Sequence, residues 1–135
     1  MTIVPLRLLL VEDEALIAMM AEDLVEALGH QIVVTAATLG EARAACRDVN
    51  FDAALLDVNL NGESSMEIAT HLKERGCPLA FTTGYGVSGI DRVHTDMPVL
   101  TKPYALAELE AVLAGFVAQL AGMSSITSSV DSKRG

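Results

Sequence analysis

Leu6-Arg7-Leu8-Leu9-Leu10-Val11, followed at once by Glu12-Asp13-Glu14, is a short apolar run that ends in acids. A half-exposed strand would alternate apolar and polar residues. A short, nearly unbroken apolar run reads instead as a parallel strand covered on both faces. Four more runs share that character: Gln31–Ala36, Ala53–Leu56, Leu79–Thr82 and Val99–Leu100. Segments of helical period lie between and after them, at Ala15–Leu28, Leu39–Arg47, Ser65–Arg75 and Leu106–Leu120. The alternation predicts a (βα)5 α/β fold with a doubly wound, parallel, five-stranded sheet.

The helices carry faces that fit such a sheet. On Ala15–Leu28, residues Ile17, Met20, Ala21, Leu24 and Leu28 share one side and Glu22 and Glu26 the other. Gly29 is placed to end this helix with a left-handed cap. On the last helix Leu109, Leu113, Phe116 and Leu120 form the stripe to be buried, with Leu106, Val112 and Val117 at its edges. Gly76-Cys77-Pro78 breaks the third helix, and any helix within Gly84–Asp96, which holds three glycines, should be short and loose. Beyond Gly122 the pattern is lost. The expected organisation is one domain over residues 1–121 and a flexible tail over 122–135.

Composition narrows the function. A chain of 135 residues suits one domain, and 51% apolar residues exclude a disordered one. Aromatics are 4% with no Trp, so Leu, Val, Ala and Met must build the core. Eighteen acids against nine bases give a formal charge of -9, which repels phosphate backbones, and no basic patch offsets it. Nucleic acid is not an expected partner. Cys46 and Cys77, with His30, His71 and His94, lack the spacing of a soft-metal site and read as small buried hydrophobes. The first apolar run is too short for a signal peptide or a membrane span, so a cytoplasmic location is expected.

In an open parallel sheet, ligands bind beyond the carboxyl ends of the strands. The first strand delivers Glu12 and Asp13 there, the third Asp57, the fourth Thr82-Thr83-Gly84, and the fifth Thr101-Lys102-Pro103. Close carboxylates repel one another unless a cation lies among them. Oxygen donors without His or Cys point to Mg2+. A lysine and a hydroxyl opposite suit an anion on that metal, which describes phosphoryl transfer with a carboxylate as nucleophile.

Four motifs now stand in order: Leu8-Leu9-Leu10-Val11-Glu12-Asp13-Glu14, Ala54-Leu55-Leu56-Asp57-Val58-Asn59-Leu60-Asn61-Gly62, Thr82-Thr83-Gly84 and Thr101-Lys102-Pro103. Together they resemble the receiver domain of two-component response regulators across Leu6 to Leu120. The resemblance implies a flavodoxin-like, CheY-like fold and a phosphorelay role in which Asp57 accepts a phosphoryl group from a kinase phosphohistidine. It also implies that Glu12, Asp13, Asp57 and the Asn59 main-chain carbonyl hold Mg2+. Thr83 would bond a phosphoryl oxygen, and Lys102 would pair with the phosphoryl group or the carboxylate. The family commonly has a cis peptide before the proline, here Lys102-Pro103.

Two positions depart from the family. Val99 stands where an aromatic switch residue is usual, and Asn61 where a proline is usual. With Pro78-Leu79-Ala80-Phe81-Thr82-Thr83-Gly84-Tyr85-Gly86, these departures resemble the single-domain "FAT GUY" receivers, although Leu79 and Thr82 differ from that motif. That resemblance implies a histidine kinase of the HWE or related type, or a phosphotransfer protein, as partner. The ordered chain ends with the last helix, so signalling by protein contact, or service as a phosphoryl shuttle or sink, is expected rather than enzymatic turnover.

Other readings remain open. A Mg2+-dependent aspartyl-phosphate phosphatase would need its nucleophile and a second Asp on the first strand, which Glu12-Asp13-Glu14 does not supply. A receiver-like interaction module without phosphotransfer is the other alternative. Gly84-Tyr85-Gly86-Val87-Ser88-Gly89 matches a dinucleotide fingerprint but follows the wrong strand. Ala15, Ala18 and Met19, with Pro103 and Tyr104, are the expected kinase-docking surface. The Ala107, Ala111, Ala114 and Ala118 stripe beside Gly115 is the candidate contact for a weak dimer, with a monomer as the simpler expectation. Tyr85 and the Gly84–Asp96 segment are the expected switch in place of an aromatic at Val99.

Overall fold

A computed structural model of the chain describes residues 5–84 and 96–134. The elements run β1 (Arg7–Val11), α1 (Ala15–Ala27), β2 (Gln31–Ala36), α2 (Leu39–Asp48) and β3 (Ala53–Asp57). They continue with β4 (Asn59–Leu60), β5 (Glu63–Ser64), α3 (Met66–Glu74), β6 (Leu79–Thr83), β7 (Val99–Thr101) and α4 (Leu106–Arg134). Five strands form one parallel sheet in the order β2-β1-β3-β6-β7. The order reverses between β1 and β3, so a crevice opens beyond their carboxyl ends. All five expected strands are present, and three run one residue further than expected, to Asp57, Thr83 and Thr101.

Strand residues alternate between two hydrophobic layers because successive side chains point to opposite faces. Leu9, Val11, Leu56 and Phe81 pack with Ala42 and Ala45 of α2 and Ile68, Ala69 and Leu72 of α3. Leu8, Leu10, Leu55, Ala80 and Leu100 pack with Ala18, Ala21 and Val25 of α1 and Leu109, Leu113 and Phe116 of α4. The stripe expected on α4 is therefore the one that is buried, with Leu120, Val112 and Val117 at its margin and Leu106 left exposed.

On α1 the structure corrects the expected face. Ala18 is buried, whereas Met20 is 43% exposed. The small side chains of Ala18 and Ala21 let the helix axis approach the sheet, which rotates Met20 outward with Leu16 and Met19. Gly29 does adopt the left-handed conformation expected of it, φ 87°.

Two further differences concern the ends of elements. The β4–β5 hairpin was not expected, although Asn61-Gly62 is the usual signature of a two-residue turn, and both residues have positive φ, 51° and 86°. Where a tail was expected from residue 122, α4 continues as helix through Gly122 to Arg134. No proline follows Pro103, and one glycine costs a helix only about 1 kcal/mol against alanine, too little to end it. The Gly84–Asp96 switch segment and Tyr85 lie, apart from Gly84 and Asp96, outside the described residues.

Candidate functional site

The crevice is built where four strands stop, β1, β3, β6 and β7. The Glu12 N–H continues the β1–β2 ladder by donating to the Ala36 carbonyl at 2.9 Å, so Glu12 is held as firmly as a strand residue. Its side chain is almost fully buried and accepts from the Glu14 N–H at 3.1 Å. Asp57 is the last residue of β3 and is also buried, with the Asn59 N–H donating to its Oδ1 at 3.3 Å. Asp13, half-buried, accepts from the Asn61 N–H at 3.1 Å, which fixes the Asn61-Gly62 turn against β1. Asn59 closes that turn with its own side chain, accepting from the Gly62 N–H at 2.7 Å.

From the far side, the Lys102 N–H donates to the Thr83 carbonyl at 2.8 Å, which ties the ends of β6 and β7 together. Thr83 itself is buried. The Lys102-Pro103 peptide is cis. The Lys102 ammonium donates to Asp57 Oδ2 at 2.9 Å and to both Glu12 oxygens at 3.1 and 3.2 Å. Asp57, Lys102 and the Asn61-Gly62 turn line an open cleft of about 490 Å³ with Asp13, Asn59, Gly84 and Pro103. The structure thus brings Glu12, Asp13, Asp57, Asn59 and Lys102 together, with Thr83 bonded through its backbone to Lys102.

Burial dominates the electrostatics. Removal from water pushes the Glu12 carboxyl from 4.5 up to about 7, with the Asp57 charge adding to the rise and the Glu14 N–H and Lys102 opposing it. Asp57 is raised by the same loss of water, opposed by Lys102 and the Asn59 N–H and reinforced by Asp13. Burial acts against the Lys102 charge as well, but its bonds to Asp57 and Glu12 overcome that and hold it above the ordinary lysine value. One ammonium therefore serves two buried carboxylates, with a third alongside.

Carboxylate oxygens of Glu12, Asp13 and Asp57 lie within 4.8 Å of one another. An all-oxygen set at that spacing fits a small hard cation such as Mg2+. The charge deficit fits it too, since two of the three carboxyls are destabilised as anions.

Sequence reasoning missed one residue of the site. Ser65 is fully buried, with Oγ 2.5 Å from the Asp57 carbonyl oxygen and 3.1 Å from that of Val58. Its hydroxyl pins the main chain of β3 where it leaves the sheet. Ser65 was expected only as the first residue of the third helix, and a serine at a helix start gives no sign of this role. Tyr104, expected on a docking surface, is buried instead: burial pushes its phenol up to about 12, with the nearby Thr82 hydroxyl acting against the rise.

Residues 8–114 match the family of the response regulator receiver domain. The chain belongs to that family. The receiver is 41% identical to SdrG from Sphingomonas melonis Fr1, whose solution structure aligns over 84% of this chain and 97% of that one with a TM-score of 0.75. It is 29% identical to the receiver domain of the PhyR response regulator from Erythrobacter litoralis, over 84% of this chain and 90% of that one, TM-score 0.73. Among curated proteins it is 34% identical to the sensor histidine kinase AruS of Pseudomonas aeruginosa, over 80% of this chain but only 12% of the kinase. The receiver is thus a module of two-component signalling. Among the described residues no helix is long and apolar enough to cross a membrane.

Proposed function

We propose that this receiver accepts a phosphoryl group on Asp57 from the phosphohistidine of a histidine kinase. The observation that carries the reading is the convergence of Lys102 Nζ, 2.9 Å from Asp57 Oδ2, with three carboxylate oxygens from two strand ends. In the step, an Asp57 oxygen bonds to phosphorus while the bond from phosphorus to the imidazole nitrogen breaks, and the nitrogen keeps the electron pair. Lys102 keeps Asp57 ionised against the effect of burial and then pairs with the transferred group. Thr83 donates to a phosphoryl oxygen. Glu12, Asp13, Asp57 and the Asn59 carbonyl would hold Mg2+, which supplies neutralisation of the charge on the phosphoryl oxygens.

The docking face proposed for the kinase lies on α1. Leu16, Met19 and Met20 are exposed there, and Leu106 of α4 is exposed as well. Ile17 and Glu14 carry that surface into the cleft. The acids of α1 are Glu22, Asp23 and Glu26, and the helix has no base, so an apolar helix surface with a basic rim suits it. A kinase of the HWE or related type, or a phosphotransfer protein, is the proposed donor, and the cytoplasm the proposed compartment. The receiver then acts by protein contact or as a phosphoryl shuttle or sink.

Labelling by a small phosphodonor with Mg2+ tests the acceptor. Wild type should form an acyl phosphate and Asp57→Asn none. An acyl phosphate that persists in Asp57→Asn would refute the assignment.

A further inference from the structure

Two hydroxyls behind the cleft have no role in the chemistry above. Thr82 is fully buried on β6, in register with Asp57 on β3 and Leu100 on β7. It points to the same side as Ala80, into the layer shared with α1 and α4, and Tyr104 belongs to that layer. Thr82 Oγ1 and Tyr104 Oη are near neighbours, yet neither meets a hydrogen-bond partner among the described residues. A buried hydroxyl without a partner carries its full desolvation cost, which a Phe or Val of the same shape would not. The two groups also bracket a joint. Thr82 precedes Thr83, whose carbonyl accepts from the Lys102 N–H, and Tyr104 stands two residues beyond Lys102.

We propose that Tyr104 and Thr82 are a positioning pair for the acceptor site: with a phosphoryl group on Asp57, Tyr104 Oη donates to Thr82 Oγ1 and locks the turn after β7 onto β6. The inference rests on the acceptor reading. Thr83 moves toward the phosphoryl oxygens from one side of the joint, and Lys102 leaves Glu12 for them from the other. Both movements draw the end of β6 and the Lys102–Tyr104 turn together, and each of these two segments carries one of the hydroxyls. Val99 leaves no large ring on β7 to respond to the site. Among the described residues, Tyr104 is the aromatic placed to respond in its stead.

The test uses the full chain as wild type, Tyr104→Phe, Thr82→Val and the double variant. Urea unfolding without metal measures the resting fold, and calorimetric titration with beryllofluoride in saturating Mg2+ measures the phosphoryl-like state. The variants should be as stable as wild type or more stable without metal. Each single change should weaken beryllofluoride binding about three- to tenfold, the worth of one hydrogen bond, and the double should be no weaker than the singles. Wild-type affinity in both singles, additive losses, or losses matched by equal destabilisation of the metal-free fold would overturn the pair. Asp57→Asn separates the two readings. Binding lost in Asp57→Asn but indifferent to the hydroxyls overturns the pair alone. A wild type that binds no beryllofluoride, or that binds it as well after Asp57→Asn, overturns the acceptor reading and the pair with it.

Discussion

Replacing Glu12 by Gln should stabilise the metal-free receiver at pH 8, and the gain should disappear by pH 5. Glu12 is 2% exposed, and burial moves its carboxyl from 4.5 to about 7. Each pKa unit is worth about 1.4 kcal/mol, so ionised Glu12 costs the fold about 3 kcal/mol relative to the unfolded chain. The sign follows from proton binding. Between pH 4.5 and 7 the folded state holds a proton that the unfolded state has lost, so stability rises as pH falls through that window and levels off below it. The amide of the Glu12→Gln variant does not titrate. Its oxygen can still accept from Lys102, and the charge-assisted part of that bond is lost, which leaves a net gain of about 1–2 kcal/mol at pH 8. Urea midpoints at pH 5, 6, 7 and 8 in a chelator, with unchanged m-values, give the difference between wild type and variant. Other titrating groups cancel in that difference. A gap that does not change with pH, or a loss of stability in Glu12→Gln at pH 8, would sink the argument. Millimolar Mg2+ should reverse the ranking, because a metal bound at the wild-type site would stabilise it by about 2.7 kcal/mol at a hundredfold over Kd.

Asp57→Asn should likewise raise the metal-free urea midpoint while removing most of the stabilisation by Mg2+; a midpoint indifferent to Mg2+ in the wild type would count against the metal site. Lys102→Met leaves Glu12 and Asp57 buried without their cation, and should cost about 3 kcal/mol in the metal-free protein at pH 8, less at pH 6 as Glu12 takes up a proton. His30 accepts from the Leu6 N–H through Nδ1 at 2.9 Å and is lowered by burial below its ordinary 6.5. Its contribution is complete above pH 6.5 and is lost as pH falls below it, and His30→Ala should remove that slope together with about 1 kcal/mol, measured by the same urea series. Met19→Arg, at a position 59% exposed, should slow phosphotransfer from a kinase and spare labelling by a small donor; equal losses with both would mean damage to the site itself.

The fold was legible because its strands are short, apolar and regularly spaced, and because acids and a lysine stand directly after them. Strand ends align in a parallel sheet, so a residue's place just past an apolar run locates it in three dimensions without any contact being known. That is why Glu12, Asp13, Asp57, Thr83 and Lys102 could be named together. The helix faces were harder to read. Along α1, Ile17, Ala18, Met20 and Ala21 are all apolar, and periodicity cannot say whether the small or the large members face the sheet. Close approach of the helix axis decided for Ala18 and Ala21, and exposed Met20. Ser65 and the Thr82–Tyr104 pair were invisible for another reason. Their significance lies in main-chain acceptors and in missing partners, and neither leaves a trace in residue type.

The charge arrangement explains why these parts depend on one another. The proposed nucleophile, Asp57, would have to be ionised, yet burial disfavours its anion. Lys102 corrects this, but it also holds Glu12, so one cation is divided between two buried acids at bond lengths that differ by only 0.2–0.3 Å, with the exposed Glu14 carboxylate further off at 3.8 Å. A divalent cation among Glu12, Asp13 and Asp57 would satisfy Glu12 directly and release Lys102 from it toward Asp57. On the proposed function, an incoming phosphoryl group would then meet an ammonium already 2.9 Å from an Asp57 oxygen. On this reading Lys102 is divided without metal and committed with it. The Thr83 carbonyl that holds its main chain keeps the side chain within reach of both states.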